Sequence, residues 1–529
     1  MGTLWHGGKI RTLINETDVE EAVYVRNGKV INVGDYDVLR RDFQETISEE
    51  INLQGATMYP GFVDSHLHMI GHGEKLLKLD VSEVSSIQEL KSVLGSALES
   101  VSEGEWLLAE GFNENLYQEH TVPDRYILDE VSINHPIMIT RVCRHALVTN
   151  SLGLQLAEVN GQTIDPPGGL IERDDKGIPT GYMHDQAQEL IKILIPEEGF
   201  NYIEKALRTS LNDLFRNGYT GGHSEDLNYY GDARQTLETF YRVIDGEKTK
   251  FRANLLVHHE VADEIIELTD DRPSHPYVEL GSIKIFTDGA LGGRTALLSE
   301  AYSDDPSTNG MAIHTKEGLE LIVKHARELK MPVAIHTIGD LSLEYAIDAL
   351  EKYPVLPGKR DRLIHLQVTR KELLTRLQEL PVVLDIQPRF VASDFPWVEE
   401  RLGQKRLEDA FAWKTLLNHH LICAGGSDAP IEPINPLLGL HAAVTRRKPY
   451  ENHKGYSEKE KLSLFEALQL FTKGSAQAIG REKERGIIAP GYTADFTVLT
   501  KDLFELSPDE WLNVTVEKTI VDNSVMYEK

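Results

Sequence analysis

Apolar and polar residues alternate in short runs at both ends of the chain and in longer, mixed runs through its middle. Near the start, EAVYVRNGKVINVG alternates with a period of two around Asn27-Gly28, a dipeptide that favours a two-residue hairpin turn. INLQGATMYP continues in the same manner. GIIAPGYTADFTVL and VEKTIVDNSVMYEK, near the other end, are again short, β-branched and broken by Gly, Pro or Asn. A lone hairpin has little to bury. The pattern therefore predicts one small β-sandwich domain built from residues 1–58 and 480–529, the alternative being two unrelated terminal hairpins.

The middle alternates short apolar strand candidates with helical stretches such as TKEGLELIVKHARELK and SLEYAIDALEKY, the signature of βα units around a parallel sheet. After Tyr59 to Asp64, strands are predicted at 218–225, 251–258, 282–288, 331–337, 362–367, 381–388 and 421–428. That makes eight, and eight parallel βα units close into a TIM barrel, here over 59–479. The fold class is thus α/β, a (β/α)8 barrel with an attached sandwich. Residues 72–205 fall outside the repeat, as an insertion after the first barrel strand with its own strand candidates, EWLLAEGFNEN and HPIMITRVCRHALVTN. An insertion at that point emerges at the C-terminal mouth, where a cap or lid would act on substrate.

Composition narrows the function classes. A chain of 529 residues with 41% apolar content can bury a sizeable core and calls for more than one domain. The net charge of -29 argues against a nucleic-acid partner, because phosphate binding relies on a basic surface. Solubility is the ordinary reason for such a charge. Two cysteines, Cys143 and Cys423, make no disulfide framework, and no apolar run suits a signal peptide or a membrane span. A cytoplasmic enzyme of a small-molecule substrate is expected, with a homodimer as the default assembly.

The candidate chemistry begins with YPGFVDSHLH, residues 59–68. His66 and His68 are two apart, so in an extended segment they share a face and can aim at one divalent ion. A lone His-X-His is more often a surface or core pair. Here, however, further residues fall at the C-terminal ends of predicted strands: Lys284 on the fourth, His336 on the fifth, His365 on the sixth and Asp428 on the eighth. A barrel directs such positions at one point. Neutral imidazoles suit zinc and similar metals. Asp428 can touch a metal, take a proton from metal-activated water and pass it to a leaving nitrogen, a general base turned acid. Lys284 has no lone pair to give while protonated. Buried near cations it would lose that proton and could form a carbamate whose oxygens bridge two metals; the alternative is an ion pair with Asp288 or another carboxylate.

PGFVDSHLH, SIKIFTDGALGGRTA, VAIHTIGD, RLIHLQ and GSDAPIEPINPL, in that order, resemble the amidohydrolase superfamily. Within it the chain resembles the branch of YtcJ-like metal-dependent hydrolases (amidohydrolase family 3), which includes N-substituted formamide deformylase. The resemblance implies a distorted TIM barrel with one or two divalent metals. It further implies that His66, His68, His336, His365 and Asp428 are ligands and that Lys284 is often carboxylated. Around this set, Asp288 and Arg294 could orient Lys284 or bind an oxyanion, or simply fix a loop. His145 in the insertion resembles a position that the branch often keeps and could contact substrate. Phe112, Asn113, Tyr117 and Trp397 could line an apolar pocket, although core packing is the ordinary role of aromatics. His223, His258 and His259 lie near strand ends without an assigned role. The reading is a metal-dependent hydrolase of carbon–nitrogen bonds other than peptide bonds. Its rivals are an esterase or lactonase on the same site and a non-catalytic metal-bound regulatory protein.

Overall fold

Asn27 and Gly28 adopt φ angles of 52° and 68°, which closes a tight hairpin between strands Ala22–Arg26 and Lys29–Gly34. The computed structural model describes all residues except 100, 103, 120, 142–145, 167, 196–199 and 271–273. Cys143 and His145 therefore lie outside the described residues. The hairpin belongs to a four-stranded sheet with Gly2–His6 and Ile47–Asn52. A six-stranded sheet faces it. There Lys9–Arg11, Val19–Glu20 and Thr57–Pro60 join Phe496–Leu499, Val516–Val521 and Ser524–Glu528 from the other end of the chain. Trp5, Val23, Val25, Met58, Phe496, Val498 and Ile520 are buried together in one cluster drawn from both sheets. Neither terminal segment could bury these side chains alone.

The eight barrel strands are β1 (Phe62–Leu67), β2 (Tyr219–Ser224), β3 (Arg252–His258), β4 (Val278–Phe286), β5 (Val333–Thr337), β6 (Asp361–His365), β7 (Val382–Ile386) and β8 (Ile422–Gly425). They pair in parallel, in sequence order, in one sheet. The first strand departs from the expectation, because Tyr59 to Asp64 is not one strand. Tyr59 and Pro60 pair with Thr497 and Phe496 in the sandwich, and the barrel strand starts at Phe62. Pro60 has no N–H with which to continue a ladder, and Gly61 donates to Asp495. The fourth strand starts four residues earlier than predicted. Helix α1 (Lys316–Glu328) is capped by the Thr315 side chain and buries Leu319, Val323 and Ala326; helix α2 (Asp340–Lys352) buries Leu343, Ala346, Ile347 and Leu350. These are the stripes that a period of 3.6 lays against a sheet.

Inside the barrel Leu256, Ala334 and Ile364 pack together. Arg362 and Asp385, both fully buried, form an ion pair at 2.6 Å, and Arg362 also donates to the carbonyl of Ser65. No ladder joins β8 to β1. The carboxylate of Asp64 bridges that seam instead, accepting from the amides of His66 at 3.0 Å and Ser427 at 3.0 Å. Beyond it, the Asp428 amide donates to the His66 carbonyl at 2.7 Å and the His68 amide to the Ala429 carbonyl at 2.8 Å. Gly426 sits against this seam. A Cβ there would lie 2.6 Å from His66 N and 2.8 Å from Asp64 Oδ1.

Gly73–Thr209 forms a second compact unit. Its sheet runs Gly169–Arg173, Pro179–Asp185, Ala146–Thr149, Ile137–Arg141, Leu107–Phe112 and Leu79–Asp80. The stretch read as one strand, 135–150, is thus two antiparallel strands. Phe112 and Tyr117 are fully buried in the core of this unit with Leu90, Leu94 and Leu128, which is the packing role rather than a pocket wall. Asn113 follows the strand and accepts at its carbonyl from the Leu116 amide. No helix among the described residues is long and apolar enough to cross a membrane.

Two substitutions test this framework. Gly426→Ala forces the β1–β8 seam apart and is expected to cost about 1–3 kcal/mol, as overpacking does, read from the denaturant midpoint. Arg362→Met leaves Asp385 buried and unpaired and is expected to cost about 3–5 kcal/mol. An unchanged midpoint in either variant contradicts the corresponding role.

Candidate metal centre

His66 lies in β1 and His68 just beyond it, Lys284 in β4, His336 in β5, His365 at the end of β6, and Asp428 three residues after β8. All six line one cavity of about 400 Å³, together with Gly71, Tyr229, Tyr230, Phe286, Pro430 and Ile431. His66 Nε2 and His68 Nε2 stand 3.6 Å and 3.5 Å from Asp428 Oδ1, and Lys284 Nζ stands 3.2 Å from His66 Nε2. One donor atom from each of His66, His68 and Asp428 falls within 4.8 Å of the others, and no other group of three among the described residues does so. The His66 and His365 rings, and the His365 and His336 rings, meet edge to face at 5.6 Å and 4.4 Å.

The partners of these rings fix their protons. His68 Nδ1 donates to the Glu225 carbonyl at 2.6 Å, His365 Nδ1 to the Gln387 side-chain oxygen at 2.8 Å, and His336 Nε2 to the Gly289 carbonyl at 3.2 Å. The neutral rings of His336 and His365 then keep a lone pair on the other nitrogen, as metal-ligating histidines require, whereas His68 offers one only when its Nε2, beside Asp428, gives up its proton. His66 Nδ1 is buried and has no partner among the described residues. Two imidazoles and a carboxylate around one point, with further imidazoles beside them, fit a divalent ion of the zinc type. The fit rests on this donor chemistry and these tautomers.

Charge at the site follows from burial and neighbours. Burial holds His66 and His336 well below the usual imidazole value, with Lys284 acting in the same direction, and brings His365 down to about 4. For His68 burial is outweighed by the bond to Asp428 and the charges of Asp428, Asp226 and Glu225, which push it up to about 9. Burial would raise Asp428, but the His68 bond and the neighbouring cations keep it below the usual carboxylate value. Burial lowers Lys284 against the pull of Glu225 and Asp428. It raises Asp64 to about 7, although amide donors hold it back. His365 and Asp428 have φ of 81° and 59°. Left-handed backbone at non-glycine residues costs about 1–3 kcal/mol and concentrates at functional sites.

The other sequence candidates fall elsewhere. Asp288 is not paired with Lys284. Its carboxylate accepts from the amides of Leu297, Ile338 and Gly339, fixing the segment after β4 to the end of β5, and burial raises it to about 6. Lys284 has no carboxylate partner among the described residues. Arg294 forms an ion pair with Asp304 at 2.8 Å, the loop-fixing alternative, and does not line the cavity. Trp397 starts a helix (Trp397–Arg406), half-buried beneath Arg401, and is not part of the cavity wall either. His223 is buried in β2 and lines a separate cavity of about 20 Å³ with Thr220, Arg252 and Asp495. Sequence reasoning missed Asp64, Glu225, Tyr229 and Gln387. Asp64 lies within β1 and Glu225 directly follows β2, each a buried acid beside an apolar run, a signal that was readable. Tyr229, whose hydroxyl donates to Glu225 at 2.6 Å, and Gln387 carried no signal of their own.

Comparison with known proteins agrees with this geometry. Residues 49–527 match the profile of the amidohydrolase family. YtcJ of Bacillus subtilis (strain 168), which carries an amidohydrolase name, is 47% identical over 530 residues and covers 100% of both chains. N-substituted formamide deformylase of Arthrobacter pascens is 25% identical, over 98% of this chain and 97% of its own. Among solved structures, a metal-dependent hydrolase of uncharacterised activity from Pyrococcus horikoshii OT3 superposes with a TM-score of 0.79 at 28% identity, covering 96% of this chain and 99% of its own. A family profile over nine-tenths of the sequence, lying on a barrel that gathers these six side chains, establishes that the chain belongs to the amidohydrolase family.

Proposed function

We propose that the protein is a metal-dependent hydrolase that cleaves a carbon–nitrogen bond, other than a peptide bond, in a small amide-like substrate. The observation that carries this reading is the Asp428 carboxylate, kept ionised within 3.6 Å of two histidine nitrogens at the floor of an open cavity. A cavity of this size suits a small molecule. His66, His68 and Asp428 would hold one ion. His336, His365 and Lys284, as a carbamate, would hold a second. A divalent ion bound there supplies Lewis acidity toward a carbonyl and acidifies water toward neutrality. Asp428 accepts a proton at its carboxylate and returns it to the leaving nitrogen, which makes the amine a better leaving group. His68, fixed by the Glu225 carbonyl, orients that carboxylate. Tyr229, Phe286, Pro430 and Ile431 give the wall an apolar character that limits competing water.

The names of relatives support the same reading: one is a deformylase of N-substituted formamides and another a metal-dependent hydrolase. Ester or lactone hydrolysis differs mainly in the leaving group, and paired amide and ester substrates of one acyl group separate the two. A binding protein would need no carboxylate poised for proton transfer.

Elemental analysis of the purified protein is expected to find about one or two zinc-like ions per chain, lost in His66→Ala/His68→Ala. A wild-type chain that refuses zinc, manganese and nickel would remove the metal reading altogether. Asp428→Asn is expected to retain metal while turnover falls by about 10²-fold or more, the usual contribution of a general base. Full activity in that variant would sink the assigned role.

A further inference from the structure

Six of the twelve residues that line the metal cavity are the donors described above, and the other six are Gly71, Tyr229, Tyr230, Phe286, Pro430 and Ile431. None of these six bears a formal charge, in a chain where 26% of residues do. A carboxylate or ammonium on the substrate would meet no counter-charge on this wall. A charge pressed unpaired against apolar groups loses hydration without compensation.

Two aromatic rings stand on the wall, one beside each donor group. Tyr229 meets His68 edge to face at 5.9 Å, and Phe286 lies 5.3 Å from His336 with Lys284 Nζ 4.6 Å from its ring centre. Tyr229 is 46% exposed, yet it is not free to swing. Its hydroxyl donates at 2.6 Å to the fully buried Glu225 side chain, whose other carboxylate oxygen has no partner among the described residues. A short bond to a buried carboxylate holds the ring by its tip. An aromatic surface that is open and already ordered gains contact with a ligand without losing rotamer freedom. Gly71 keeps neighbouring space clear: a Cβ there would lie 3.4 Å from His68 Cβ and 3.5 Å from Pro430 Cδ and Tyr230 Oη. Ile431, 61% exposed, adds an open apolar side chain to the same wall.

We infer that the site selects an uncharged aromatic ring beside the scissile carbon–nitrogen bond, and that Tyr229 selects it by packing its own ring on that of the substrate. The inference rests on the hydrolase reading above. Aromatic pairs attract beyond their buried area in offset or edge-to-face arrangements, so a phenyl group gains more on Tyr229 than a saturated ring of like size. A carboxylate on that phenyl group forfeits the gain, because the wall offers no cation to it.

The test measures binding of benzohydroxamate, cyclohexanecarbohydroxamate and 4-carboxybenzohydroxamate to the full chain loaded with zinc. Benzohydroxamate is expected to bind about 3- to 10-fold tighter than the cyclohexane analogue, and about 10-fold or more tighter than the carboxylated one. Tyr229→Leu is expected to abolish the first ratio. Tyr229→Phe, which keeps the ring and loses the tether, is expected to retain part of it. Each ratio is taken within one variant, so a general loss of affinity does not imitate the effect. Ile431→Lys is expected to close the second ratio by supplying the missing counter-charge. Equal wild-type affinity for the phenyl and cyclohexane probes overturns the inference, as does a wild-type ratio in Tyr229→Leu. So does equal affinity for the carboxylated probe, or failure to bind any of the three. If the wild-type chain hydrolyses no carbon–nitrogen substrate, the hydrolase reading fails separately, and the hydroxamate ratios still decide the role of Tyr229.

Discussion

The site depends on one buried carboxylate. Asp64 spans the seam between the first and last barrel strands, where no regular ladder forms, and holds the amides of His66 and Ser427 on its two sides. Those amides belong to the segments that carry His66, His68 and Asp428, so closing the barrel and assembling the donors are one event. The cost is a charge placed in the interior, visible in the rise of Asp64 to about 7. The amide bonds offset it, and Gly426 leaves the space that the bonds need. Evolution of new ligands at this point would have to preserve that closure.

A second constraint is the control of imidazole protons. Three of the four pocket histidines surrender their far nitrogen to an oxygen supplied by another strand or loop, namely Glu225, Gly289 and Gln387. Position alone would leave rings free to flip. The acceptors remove that freedom before any ion arrives, which lowers the ordering needed on binding. The Arg362–Asp385 pair beneath them belongs to the same plan, because its bond to the Ser65 carbonyl ties β6 and β7 to the residue just before His66.

Much of this was legible in the order of residues. The period-two ends, the βα alternation and the placement of chemical side chains at strand ends were local patterns, and local patterns follow from backbone geometry. They located β2 to β8 to within a few residues and brought out six of the twelve residues that line the cavity. Errors arose where a non-local partner decides. Tyr59 and Pro60 look like the start of a barrel strand, but Phe496 and Thr497, over 400 positions away, claim them for the sandwich. Phe112 and Trp397 look like pocket walls because an aromatic carries the same signature in a core or in a cavity.

The chain order therefore specified the fold class and the family, because each rests on periodicity or on residue types at fixed strand positions. It could not specify hydrogen-bond partners. That Asp288 serves backbone amides rather than Lys284 and that Arg294 turns to Asp304 are outcomes of folding. A buried polar group takes whatever partner the packed structure brings within about 3 Å, and that choice is made in three dimensions.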